Sequence, residues 1–144
     1  MSATEAASNI AALHRFHSAT NSGDPALVAK AVDEFTTPDL LFHAPVPMGA
    51  TGPEALKRVW EALLRAFPDI RVTVEETVAE GDRVVSRNTV TGTHRGEYRG
   101  LAPTGRTVTY SEIFVLRFVD GRIAEIHGVV DVLTQLRQLG ALPS

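Results

Sequence analysis

A change in the spacing of apolar residues at Pro68 constrains the fold of this chain more than any other feature. In the segment 51–67, before the proline, apolar residues recur three and four positions apart, which is the spacing of one helical face. In segments such as 106–119, after the proline, apolar and polar residues alternate, as they do in strands with one buried face. Helices followed by a run of strands predict an α+β fold, with helices packed on one face of a curved sheet.

The same patterns and the turn residues predict the individual elements. Helices are predicted at about 7–22, 25–35, 51–67 and 132–139, and strands at about 70–79, 83–94, 106–119 and 122–130. The tight connections AEGDR and VDGR predict that the first two and the last two strands pair as antiparallel hairpins. PDLLFHAPVP reads as an extended segment before the third helix, where Thr51 and Glu54 have the spacing of a capping box.

Size, charge and residue usage restrict the class of protein. The 144 residues contain no linker or repeat and fit one domain, 1–144, with a substantial core. The net charge of −3 argues against a nucleic-acid surface, and the absence of cysteine excludes disulfides and thiolate chemistry. No apolar run approaches membrane-spanning length and the first nine residues do not look like a secretion signal, so no membrane partner and a cytoplasmic location are expected. The five histidines show no metal-ligand spacing, so no metal is expected.

Two motifs carry a resemblance to a known family. With the strands around them, GTHRGEYRGLAPTG and QLRQLGALP resemble the SnoaL-like polyketide cyclase (ester cyclase) family of the nuclear-transport-factor-2-like superfamily, over about residues 10–142. The resemblance implies an α+β cone in which N-terminal helices and a mostly antiparallel sheet enclose a pocket. It also implies cofactor-independent chemistry on polyketides in antibiotic biosynthesis, in which a proton is removed next to a carbonyl and a ring is closed. Homodimers are common in such cones.

The family's catalytic pair is replaced in this chain. The resemblance aligns Gly128 with the aspartate that serves as the family's general base on the last strand, and Phe114 with a histidine on the preceding strand. Pairing across the Asp120–Gly121 turn independently predicts that Phe114 lies opposite Gly128. The two replacements are therefore expected to be neighbours, as in a remodelled pocket or a simple filling of space.

Glu112 and His43 are the candidate catalytic residues. Glu112 shares a strand face with Tyr110 and Phe114, so it is expected either in the pocket, where apolar surroundings would raise its pKa, or at a solvated rim. The resemblance places His43 where the family has a polar pocket residue, so it is either a donor or base, or a buried histidine bonded to backbone.

Further residues are expected to bind the ligand or to be structural. The candidate ligand-binding residues are His17, Trp60, Asn88, His94, Tyr110, Phe114 and Gly128. His94 is expected either to line the pocket mouth or to stabilise the glycine-rich loop that follows it. Strand alternation predicts that His127 faces away from the pocket, and Asp131 is expected to cap the last helix.

The leading functional expectation is a SnoaL-like enzyme acting on an apolar or aromatic small molecule by cyclisation, isomerisation or hydroxylation. The alternative is a non-catalytic binding protein for such a ligand. Epoxide opening is less expected, because no Asp–Arg–Asp arrangement can be assembled. A homodimer is expected to pair through the sheet's open face, where apolar residues need cover. Those residues are Ile113, Val115, Ile123 and Val129.

Overall fold

A computed structural model describes residues 3–44 and 49–142. In chain order the elements are α1 (Ala3–Thr20), α2 (Pro25–Phe35), β1 (Thr36–Phe42), α3 (Gly52–Ala66), β2 (Arg71–Glu80), β3 (Arg83–Thr93), β4 (Thr107–Val119), β5 (Arg122–Val130) and α4 (Val132–Gln138). The predicted α+β order is confirmed, and the element bounds agree closely except that α1 begins earlier than predicted. Within the described ranges, no helix combines the length and apolarity needed to cross a bilayer.

The sheet is mixed and has five strands in the order β1-β5-β4-β3-β2. The two predicted hairpins are present, and β3 and β4 also pair antiparallel. The fifth strand is β1, formed from the predicted extended segment, and it runs parallel to β5 at the edge of the sheet. Because β1 and β5 are far apart in sequence, local patterns do not reveal this pairing.

The register of the β4–β5 hairpin is as predicted, with Phe114 opposite Gly128. A register shift between Arg117 and Phe118 then marks a bulge in β5. Because of the bulge, Ile123 is buried and lines the interior, so its predicted place on the open face is wrong.

Helices α1, α2 and α3 supply one side of the core and the inward residues of the sheet supply the other. The end of α1 is attached to β2 by the Asn21 amide, which donates to the Val72 carbonyl at 2.9 Å and accepts from the Val72 N–H at 2.7 Å. At the start of α3, the predicted capping box is wrong. Thr51 makes no capping bond with its side chain, and Gly52 follows with a φ of 60° instead of a helical one.

The loop 94–106 is attached to the end of α3. The backbone N–H groups of Arg95 and Gly96 both donate to the Ala66 carbonyl. A Cβ at Gly96 would overlap the carbonyl oxygen of Arg65, so only glycine allows this close approach. The glycine-rich loop is therefore placed against the helix rather than left free of it.

Candidate active site

The sheet and the helices enclose a cavity of about 620 Å³. Most of its lining is apolar, including Phe16 and Leu13 from α1, Leu56 and Trp60 from α3, and Ile126 from β5. A cavity of this size and character fits a drug-sized apolar ligand. Trp60 lies in the cavity wall with its ring edge-on to Phe16.

A chain of three polar side chains crosses this apolar wall. The Ser86 hydroxyl donates to the Asn88 side-chain oxygen at 2.5 Å, and the Asn88 amide donates to Glu112 Oε1 at 3.0 Å. Ser86 and Asn88 are buried, and all three residues line the cavity. Asn88 and Glu112 are paired across β3 and β4, so the regular sheet fixes their separation.

Burial makes the Glu112 carboxyl group a weaker acid than an exposed glutamate. It raises the pKa of Glu112 from 4.5 to about 7, although the hydrogen bond from Asn88 acts in the opposite direction. A carboxyl group with a pKa near neutrality can both accept and return a proton at physiological pH. Of the two positions expected from the sequence, the cavity wall rather than the solvated rim is the one that Glu112 occupies.

A second polar group of the cavity lies around Gln135, which α4 supplies. The Tyr98 hydroxyl donates to Gln135 Oε1 at 3.0 Å and accepts from Arg99 Nε at 3.0 Å. Tyr110, also in the wall, is buried, and burial together with the charge of Glu112 raises the pKa of its hydroxyl. The Tyr110 hydroxyl therefore keeps its proton and can act as a hydrogen-bond donor.

His17 is a neutral member of the cavity wall. Burial, assisted by the neighbouring His14, lowers the pKa of His17 to about 4, so its imidazole is uncharged at neutral pH. Its Nδ1 lies 3.2 Å from the Thr20 hydroxyl. Its predicted position on the apolar face of α1 is confirmed.

Phe114 and Gly128 fit together in the wall opposite α1 and α3. A Cβ added at Gly128 would overlap the ring of Phe114. The phenyl ring therefore occupies the space that a side chain at position 128 would need. Both residues line the cavity as predicted, and together they give this part of the wall an apolar surface.

His43 and His94 have partners that the sequence did not indicate. Atoms of His43 touch the cavity edge, but its imidazole is half exposed and its Nε2 lies 3.0 Å from Glu125 Oε2. His94 is fully buried outside the cavity lining, where its Nδ1 accepts from the Thr104 N–H at 3.2 Å. His94 therefore stabilises the loop 94–106, which is one of the two roles expected for it from the sequence.

Neither His127 nor Asp131 lines the cavity. His127 is half exposed and pairs with Glu125, on the face of β5 opposite Gly128. Asp131 caps α4, since its carboxylate accepts from the Thr134 N–H at 3.1 Å and from the Thr134 hydroxyl at 2.7 Å. These bonds hold the pKa of Asp131 below its usual value.

Sequence reasoning missed several polar residues of the cavity. Ser86 is two positions before Asn88 on β3, so side-chain alternation along the strand predicts that both face the cavity. Gln135 and Tyr98 gave no such signal, because a short helix and a loop bring them to the cavity only in the folded chain.

Comparison with known proteins defines the class to which this fold and cavity belong. The family model described as SnoaL-like polyketide cyclase matches residues 10–139, so the chain belongs to that family. The predicted nuclear-transport-factor-2-like fold is thereby confirmed.

Individual relatives carry more specific names. The chain is 33% identical to aklanonic acid methyl ester cyclase AcmA of Streptomyces galilaeus, with 91% of this chain and 90% of that protein covered. It is 32% identical to nogalonic acid methyl ester cyclase of Streptomyces nogalater, with 76% and 83% covered. Among solved structures it resembles AclR of Streptomyces galilaeus, whose suggested activity is that of a hydroxylase. The TM-score is 0.82, the identity 33% and the coverage 96% and 89%. The cyclase relatives support the expectation of an enzyme.

Proposed function

We propose that this chain is a cofactor-independent enzyme of polyketide-type secondary metabolism that uses Glu112 to move a proton during ring closure or isomerisation. The observation that carries the proposal is the position of Glu112, a hydrogen-bonded carboxyl group in the wall of a largely apolar cavity. Family membership and the two cyclase relatives support the substrate class, an apolar, oxygenated polyketide.

The proposed reaction begins with ionised Glu112. Its carboxylate takes a proton from a carbon next to a substrate carbonyl, and the electrons of the broken C–H bond move to the carbonyl oxygen to form an enolate. In ring closure, the enolate carbon bonds to a second carbonyl carbon of the same molecule, and the oxygen of that carbonyl takes the proton back from Glu112. In isomerisation, the proton returns to a different carbon. The Tyr110 hydroxyl is the proposed donor to the enolate oxygen.

On the inner face of the sheet, the strand pair that contains Glu112 is next to the pair that contains the position of the family's base. The resemblance places that base at Gly128, which lies opposite Phe114, whereas Glu112 lies opposite Val130. We place the proton-transfer group on β4, one same-face position before Phe114. His43, the other catalytic candidate, has no part in the proposal, since its imidazole bonds Glu125 instead.

Replacement of Glu112 by glutamine tests the proposal. Glu112→Gln keeps the size and the Asn88 contact but removes the titratable group, so we expect turnover to fall by at least about 10²-fold while ligand affinity changes little. Substrates to test are aklanonic and nogalonic acid methyl esters, with product analysis by mass spectrometry and affinity by fluorescence quenching of Trp60, the only tryptophan. The matched control is Glu80→Gln, the same change at an exposed position of β2. Full turnover by Glu112→Gln would contradict the proposal.

Two alternatives give different results in the same experiment. The similarity to AclR favours hydroxylation as an alternative reaction. A hydroxylated product would be heavier by one oxygen atom, whereas cyclisation and isomerisation conserve mass. The apolar Phe114–Gly128 pair favours a binding protein without catalysis. In that case the wild-type protein would bind the esters and leave them unchanged.

A further inference from the structure

Three potential metal ligands meet beside the edge strand β1, and two of them, Glu125 and His127, lie on the outer face of the sheet. His43 Nε2 and His127 Nε2 each lie 3.0 Å from Glu125 Oε2, and the ligand atoms of the three residues all lie within 4.8 Å of one another. The two imidazole rings are stacked, with centroids 3.9 Å apart and planes 18° apart. Both histidines therefore direct the same nitrogen toward one carboxylate oxygen.

The backbone of two neighbouring strands holds these three residues in place. Glu125 and His127 are two positions apart on the same face of β5, after the bulge. His43 directly follows β1, and its N–H donates to the Ile126 carbonyl at 3.2 Å, which continues the parallel pairing by one residue. The ligand set is thus carried by paired strands and not by a loose surface loop.

Arg117 orients the carboxylate of the cluster. Its Nε donates to Glu125 Oε1 at 3.2 Å, which leaves Oε2 directed at the two imidazoles. Contacts of this kind, from outside the ligand set, commonly fix the orientation of a metal-binding carboxylate.

We propose that His43, Glu125 and His127 bind a divalent transition-metal ion, with Zn²⁺ as the best match. Two imidazoles and one carboxylate are a recurrent zinc ligand set that leaves a fourth position for water. In a tetrahedral site, bonds of about 2.0–2.1 Å put neighbouring ligand atoms about 3.3 Å apart, close to the 3.0 Å between Glu125 Oε2 and each imidazole Nε2. The side chains of the two histidines are 50% and 53% exposed, so an ion reaches the site from solvent.

Glu125 and His127 do not line the cavity and His43 touches only its edge, so the site is distinct from the proposed proton-transfer group Glu112. A bound ion would join the end of the edge strand β1 to β5 and stabilise that edge. No metal was expected from the sequence, because the five histidines show no metal-ligand spacing. Glu125 and His127 are close in sequence but supply only two of the three ligands. The third ligand, His43, lies more than 80 residues earlier in the chain, just after β1.

Metal titration tests the proposal without any measurement of activity. Chelator-treated full-length protein is titrated with ZnCl₂ by calorimetry, and with Co²⁺ by visible absorption, which reports four-coordinate geometry. We expect one Zn²⁺ per wild-type chain, and affinity at least about tenfold lower in His127→Ala and Glu125→Gln. Thermal unfolding should shift upward with zinc in the wild type and much less in His127→Ala.

The matched control is His14→Ala, which removes an exposed histidine of α1 and should leave zinc binding unchanged. His43→Ala is a second ligand variant, and circular dichroism checks that each variant is folded. Absence of zinc binding by the wild type would overturn the proposal. Undiminished binding by folded His127→Ala and His43→Ala, or equal loss in His14→Ala, would do the same.

Discussion

At the scale of single residues, Phe114 and Gly128 show how two substitutions depend on each other. Phe114 occupies the space above Gly128, and glycine is the residue that leaves that space open. The φ of Gly128 is not in the left-handed region, so its backbone would accept other residues. The constraint at position 128 therefore comes from the phenyl ring and not from backbone conformation.

This dependence predicts a large coupling in a double-mutant cycle. Gly128→Ala alone should lower the free energy of unfolding by about 1–3 kcal/mol, because its methyl group overlaps the Phe114 ring. With Phe114→Ala already present, the same change should be neutral or stabilise by up to about 1 kcal/mol, because alanine restricts the unfolded chain. Urea unfolding of the wild type, both single variants and the double variant measures the coupling. Additive effects would show that the contact is not the constraint.

At the scale of elements, a few side-chain bonds decide how helices attach to the sheet. Asn21, just after α1, bonds both backbone groups of Val72 near the start of β2. Because β2 is an edge strand, Val72 N–H and C=O would otherwise lack a partner on that side. One amide side chain thus completes the pairing of an edge strand and fixes the end of a helix.

Asn21→Ala is expected to lower the free energy of unfolding by about 1–3 kcal/mol, since two partly buried backbone groups lose their partners. Chemical denaturation measures the loss, and hydrogen exchange should show faster exchange of the Val72 amide. The control is Ser18→Ala, which removes an exposed hydroxyl from α1 and should change stability by no more than about 0.5 kcal/mol. A loss in Asn21→Ala as small as in this control would contradict the assigned role.

At the scale of the whole molecule, the cavity and its carboxyl group set a balance between stability and function. The apolar wall that suits a polyketide also disfavours the ionised form of Glu112.

The outer face of the sheet leaves Ile113 and Val129 exposed, and the homodimer expected to cover them stays a prediction.

The burial of Glu112 predicts how global stability depends on pH. The pKa of Glu112 is about 7 in the folded protein and 4.5 when the residue is free in solution, so the unfolded chain ionises first as pH rises. The folded state should therefore lose stability relative to Glu112→Gln between about pH 4.5 and 7, by on the order of a few kcal/mol, with no further loss above that range. Urea unfolding of both proteins at pH 5, 6, 7 and 8 measures this difference. A constant difference across the series would mean that the carboxyl group is not buried as described.

Several features of the fold follow from local sequence patterns. Alternation and turn chemistry fixed the two hairpins and the register that pairs Phe114 with Gly128. They also separated the inward residue Glu112 from the outward residue His127, because side chains alternate between the two faces of a strand. Asp131 was identifiable as a helix cap from its neighbours alone.

Other features join segments that are distant in sequence, and they are defined only in the folded chain. The parallel pairing of β1 with β5 brings His43 to Glu125, and the bulge in β5 turns Ile123 inward. Asn88 likewise meets Glu112 because β3 and β4 are neighbours in the sheet, although a long loop separates them in sequence. Local periodicity specifies which face a side chain occupies, but the partners on that face depend on which strands pack together.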